Sequence, residues 1–149
     1  MPATNNVENI REWLRTCPLA SDGNKYFGVD YIGENATQFA VFSVNSMLKY
    51  KTNIIGERLL QSEQTQSFDV VMRMPYGSDV SQNIENIGVS QSIIAWIREQ
   101  NDAENFPDWN GGEIKYIEAT NTGAPMRVGP DAALYEFSIK VTYKVKQGE

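Results

Sequence analysis

The sequence contains no histidine and a single cysteine, Cys17. Ser-His-Asp and Cys-His nucleophile activation both need an imidazole base, so neither is open to this chain. Structural zinc sites built on Cys and His are excluded with them. A lone cysteine closes no disulfide within the chain, which fits a reducing compartment. No run of about 18 apolar residues occurs, so no transmembrane helix is expected. The start, MPATNNVENIREW, has neither a basic n-region nor an apolar h-region and does not read as a signal peptide. A Walker-type phosphate loop, a dinucleotide glycine fingerprint, a calcium loop and a nucleophile elbow are also missing. Gly123 to Gly129 carries glycines, but no Lys-Ser pair and no following helix pattern. Neither an enzyme nor a cofactor or metal site is expected from such a sequence.

Basic clustering is scarce as well. Net charge is −6, and the segment from Tyr76 to Met126, with eight acids against two bases, carries all of it. Proteins that neutralise phosphates concentrate lysine and arginine on one face, so no sequence-specific nucleic-acid binding is expected. The nearest thing to a basic face is Lys140, Lys144 and Lys146 on one strand. These lysines read as edge protection, or as a surface meeting an acidic neighbour or partner.

What is present is ordinary for one soluble domain. The chain has 149 residues, 41% of them hydrophobic and 21% charged, consistent with a single domain over 1–149. Val7, Ile10, Leu14 and Cys17 recur at helical spacing and Pro18 stops the pattern, so an N-terminal helix is expected with Cys17 in the core. Tyr26 to Ile32 and Thr37 to Val44 read as two strands around a turn at Gly33-Glu34-Asn35, which suggests a hairpin. The stretch from Met47 to Leu60 reads as strand with a bend at Gly56, a short helical turn being the alternative. Phe68, Val70, Met72 and Met74 alternate with Asp69, Val71 and Arg73 as a half-buried strand ended by Pro75-Tyr76-Gly77.

Ser78 to Asn101 predicts a helix capped by Asp79 or Ser81, with Ile84, Ile87, Gln91, Ile94 and Trp96-Ile97 as its apolar face. Gly88 marks a possible kink, and Phe106 and Trp109 are expected to pack back over the helix end. Asp102, Glu104 and Asp108 read as the solvated end of that helix. Glu113 to Thr120 is strand-like, and Asn121 to Asp131 reads as a long exposed loop. From Leu134 to Val145 the alternation is strict. Tyr135, Phe137, Ile139, Val141, Tyr143 and Val145 take one face, and Glu136, Ser138, Lys140, Thr142 and Lys144 the other. This predicts a long antiparallel strand with one wet face. Its aromatic residues read as core packing rather than a base-stacking platform. The order gives an α+β fold: a mainly antiparallel sheet with an N-terminal helix and a central helix packed on one face.

The segments IREWLRTCP, YFGVDYIGENATQFAV, PYGSDVSQNIENIGVSQSIIAWIREQN, NFPDWNGG and YEFSIKVTYKV together span nearly the whole chain. In these segments it resembles small prophage minor capsid or tail proteins encoded among head–tail genes. Its element order is similar to that of tail terminator and tail-completion proteins of long-tailed phages. The resemblance implies a subunit that self-associates into a ring, commonly of six copies, capping the tail tube and meeting the head connector. It implies a virion location after synthesis in the bacterial cytoplasm, and it carries over no site residue. Within that reading, the segment Pro125, Met126 and Arg127, the turn at Tyr76, and Lys140, Lys144 and Lys146 are the expected partner contacts. The alternatives are a head-closure, neck or tail-tube component, and a host small-ligand binder or enzyme working without histidine.

Overall fold

The computed structural model describes residues 6–18, 27–29, 38–129 and 132–145, with side chains for all of these except Met126 and Arg127. The helices are α1 (Asn6–Leu14) and α2 (Val80–Asp102). The strands are β1 (Phe27–Val29), β2 (Gln38–Ser43), β3 (Tyr50–Thr52), β4 (Arg58–Leu60), β5 (Glu63–Pro75), β6 (Gly112–Ala119), β7 (Ala124–Val128) and β8 (Ala132–Val145). The fold is α+β with a mainly antiparallel, mixed sheet. The strand order is β1-β2-β5-β8-β6, with β7 continuing the β6 edge along β8, and β3-β4 forms a separate two-stranded ribbon.

The two longest strands, β5 and β8, pair antiparallel from Glu63↔Lys144 to Pro75↔Ala132. Period-two alternation puts Phe68, Val70 and Met72 beside Ile139, Phe137 and Tyr135 on one face, all buried. Both helices cover that face. Ile10, Trp13 and Leu14 of α1 and Ile93 and Ile97 of α2 join the same core as the strands. Trp13 and Trp96 meet at 5.0 Å between ring centroids, and Trp13 Nε1 donates to the Asn105 carbonyl at 3.0 Å. Cys17 is buried as expected, although α1 stops at Leu14 and Cys17 lies in the turn after it rather than on the helix. Phe106 and Trp109 pack against the core beyond α2, Trp109 meeting Phe68 edge-on. Gly112 is required where β6 begins: a Cβ there would lie 2.7 Å from the Lys144 carbonyl oxygen.

Four expectations need correction. First, β1 and β2 are parallel, with Phe27 level with Phe39 and their rings stacked at 5.7 Å, so they form no hairpin. Both rings point into the core, a gain that local turn signals do not encode. The expected turn at Gly33-Glu34-Asn35 lies outside the described residues.

Second, the expected loop from Asn121 to Asp131 contains β7. Its Pro125 sits on an edge strand, where the missing N–H costs no ladder bond. A bulge between Pro125 and Arg127 absorbs one residue.

Third, β8 is an internal strand flanked by β5 on one side and β6 and β7 on the other, so its lysines guard no edge.

Fourth, α2 is one continuous helix that turns a different face inward. Asn86, Ser90, Ile93 and Ile97 are buried, while Ile84 and Ile87 face out. Of the two polar residues, Asn86 is held by hydrogen bonds and Ser90 by packing alone. Asn86 Nδ2 donates to the Pro75 carbonyl at 2.6 Å, its Oδ1 accepts from Gln82 Nε2 at 2.9 Å, and Ser90 packs beside Gly123.

Candidate interaction surface

The residues expected to contact partners do not form one surface. Tyr76 follows β5 directly and packs half-buried against the core. Pro125 pairs with Tyr135 and Arg127 with Leu134, so β7 and Tyr76 lie toward the same end of the sheet. Lys140 and Lys144 lie toward the other end. Lys140 Nζ stands 3.5 Å from Glu118 Oε1, and Lys144 is level with Glu63 on one side and Glu113 on the other. A shallow cleft of about 530 Å³ is lined there by Glu63, Glu113, Lys115 and Lys144, two acids facing two bases. The expected basic face is therefore largely matched by acids of the same chain. Lys146 lies outside the described residues.

A different surface stands out. Between β2 and β5 the chain leaves the sheet as the β3–β4 ribbon, closed by the turn at Asn53–Glu57. Asn53 builds this turn. Its Oδ1 accepts from the amides of Ile55 and Glu57 at 3.2 and 2.8 Å, and Gly56 takes φ 88°. The turn carries two isoleucines into solvent, Ile54 at 101% and Ile55 at 74% relative exposure. Met47 and Leu48, before the ribbon, and Leu59 and Leu60 in β4 are exposed too.

The ribbon's base is fastened firmly. Gln64 is fully buried, accepts from the Lys49 amide at 2.9 Å, and donates to the Lys49 and Gln61 carbonyls at 2.8 and 2.9 Å. The Ser67 amide donates to Ser46 Oγ at 3.0 Å. The result is an arm with a fixed root and an apolar tip. It is basic, with Lys49, Lys51 and Arg58 against Glu57. Arg58 lies over the Tyr50 ring at 5.0 Å.

A second apolar surface lies on α2. Val80, Ile84 and Ile87 fall on one stripe and are all exposed, Val80 at 68% and Ile84 at 65%. Gly88 beside them has nothing within 4 Å of where a Cβ would stand. Asp79 caps the helix, accepting from the Ser81 and Gln82 amides at 3.0 and 3.4 Å. From Tyr76 to Ile97 the charged residues are Asp79 and Glu85, with no base. Isolated surface apolar residues are ordinary, but contiguous ones mark contact sites.

Both surfaces were hidden from a pattern reading, for different reasons. In the arm, apolar residues sit in a turn, where no inward face exists to receive them; Asn53-Ile-Ile-Gly56 is the signal that marks this. In α2, the isoleucines obey helical spacing, but the inward face is set by the hydrogen bonds of Asn86. Among the described residues no group of three His, Cys, Asp or Glu is placed to hold a metal, and no helix is long and apolar enough to cross a membrane.

No family model and no curated protein matches this chain. Among the solved structures that match is one similar at 12% identity and a TM-score of 0.45, the match covering 95% of this chain and 91% of that one.

Proposed function

We propose that the chain is a structural subunit of a bacteriophage or prophage virion, a tail terminator or tail-completion protein that forms a ring at the head–tail junction. The observation that supports this most is the rigidly rooted arm, with its apolar tip held in solvent far from the apolar stripe of α2. A subunit of a closed ring needs two different contact surfaces, one for each neighbour. In this reading the chain has no enzymatic activity, contacts the tail tube and the head connector, and resides in the virion after synthesis in the bacterial cytoplasm.

The test is made on an inducible prophage carrying the gene. The gene is deleted, the phage induced, and tail lengths measured by negative-stain electron microscopy. Overlong tubes unattached to filled heads are expected. Tails of normal length overturn the terminator role, and the state of the heads then separates a neck component from a protein with no place in the virion.

A further inference from the structure

We infer that the arm is the docking element of self-assembly: Ile54 and Ile55 of one copy seat on the α2 stripe of Val80, Ile84 and Ile87 of a second copy. The inference rests on the proposed ring and names the contact that builds it. The arm tip and the stripe do not meet within one chain, where Ile54, Ile55, Val80, Ile84 and Ile87 all stand exposed. The arm roots at Glu63 and α2 starts just beyond Pro75, at opposite ends of the same strand. At about 3.4 Å per residue, β5 separates them by roughly 40 Å. Two apolar surfaces that fit each other but cannot meet in one copy meet head to tail between copies, and such a contact propagates into a ring when its rotation closes.

Charge selects a second copy as the occupant. The arm carries three bases against one acid, and the segment from Tyr76 to Ile97 that holds the stripe carries two acids, Asp79 and Glu85, and no base. Arm meeting arm, or stripe meeting stripe, would bring like charges together, so the mixed contact is favoured over either symmetric one. Gly88 adds a steric reason. A glycine inside a helix costs stability relative to alanine, yet no packing within the chain requires this one. Beside Ile84 and Ile87 it leaves a shallow step where another backbone can approach closely. The buried hydrogen bonds of Gln64 fix the arm in advance, which lowers the ordering entropy lost on docking.

The experiment is disulfide trapping of purified full-length protein at high concentration. In a Cys17→Ala background, Ile54→Cys and Ile84→Cys are prepared singly, mixed, and also combined in one chain. Both sites are exposed, so folding is preserved. The mixture should give the 54–84 linked dimer above either homodimer, and the combined variant should give a ladder of linked oligomers. Adding Ile55→Asp should lower the linked yield about tenfold, as losing an interface anchor does. No 54–84 product, or a yield unmoved by Ile55→Asp, overturns the inference. Failure of this contact and failure of the tail reading remain distinguishable. Overlong tails on gene deletion without trapping leave the terminator role and remove this contact. Trapping with normal tails leaves the contact and removes the terminator role.

Discussion

Glu136 stands half-buried on the sheet face opposite the helices, beside Val71, with Asp69 on the diagonal of the next strand. Burial first, and then the charge of Asp69, raise its pKa above the ordinary 4.5. The folded chain therefore holds this proton more tightly than the unfolded chain does. The favourable contribution of protonated Glu136 is present below pH 4.5 and is lost as pH rises through the raised folded value. Glu136→Gln should thus raise the melting temperature at neutral pH and give no gain well below pH 4.5, measured by thermal unfolding at both.

Glu104 carries a second local cost. It follows the α2 C-cap Ala103 at φ 55°, the left-handed region. Its amide donates to the Asn101 carbonyl at 3.0 Å, and the Asn105 amide donates to the Gln100 carbonyl at 2.9 Å, the bond pattern of a glycine-terminated helix. A glutamate there bears both the Cβ penalty and an unfavourable charge at the helix C-terminus. Glu104→Gly should stabilise the chain by about 1 kcal/mol in denaturant titration.

At the scale of the element, side-chain amides finish what the backbone leaves open. β6 is an edge strand, and Asn101 of α2 reaches it like a further strand. Asn101 Oδ1 accepts from the Ile117 amide at 2.7 Å, and its Nδ2 donates to the Ile117 carbonyl. Asn101→Ala leaves both backbone groups without those partners and should cost about 1–3 kcal/mol. Hydrogen exchange at the Ile117 amide should rise more than at Val141, the β8 residue level with it; equal changes at both would count against this role for Asn101.

Asn6 does similar work for α1, accepting from the Asn110 amide at 2.7 Å and donating to its carbonyl at 3.2 Å. These amides mark the limit of pattern reading. Alternation made β5 and β8 legible, and Asp79 made the start of α2 legible, because each is a local preference agreeing with the fold. The inward face of α2 was illegible because Asn86 takes a buried place for the Pro75 carbonyl it finds across the chain, and Ser90 a buried place against Gly123. β7 was illegible because its proline and glycines read as loop until β8 supplies an edge to pair with. The parallel β1–β2 pair depends on a core that neither strand contains.

Across the whole molecule, stability is uneven. The β5–β8 ladder is buried on the helix side, whereas β3 and β4 are exposed along their length and bond chiefly to each other. Amides of β5 and β8 in the core should exchange at rates set by global unfolding, and those of residues 50–60 by local opening, many-fold faster. If the arm is as protected as the core ladder in dilute protein, it is packed on something in solution rather than standing free. The candidate contact residues were less legible than the fold. Lys140 stands by Glu118 and Lys144 is level with Glu63 and Glu113, an arrangement fixed only by register. The exposed isoleucines of α2 follow spacing rules that ordinarily signal burial.

The position of β8 also bears on how the protein is made. The strand that joins β5 to β6 and β7 is the last of the described strands to be synthesised. Until it leaves the ribosome, β5 has one unpaired edge, and β6 and β7 have no partner in the sheet. A nascent chain that stalls before residue 132 exposes a long unpaired strand to proteases and to other unfinished chains. A chain truncated before β8 lacks the strand that joins β5 to β6 and β7, so the described sheet cannot close without it.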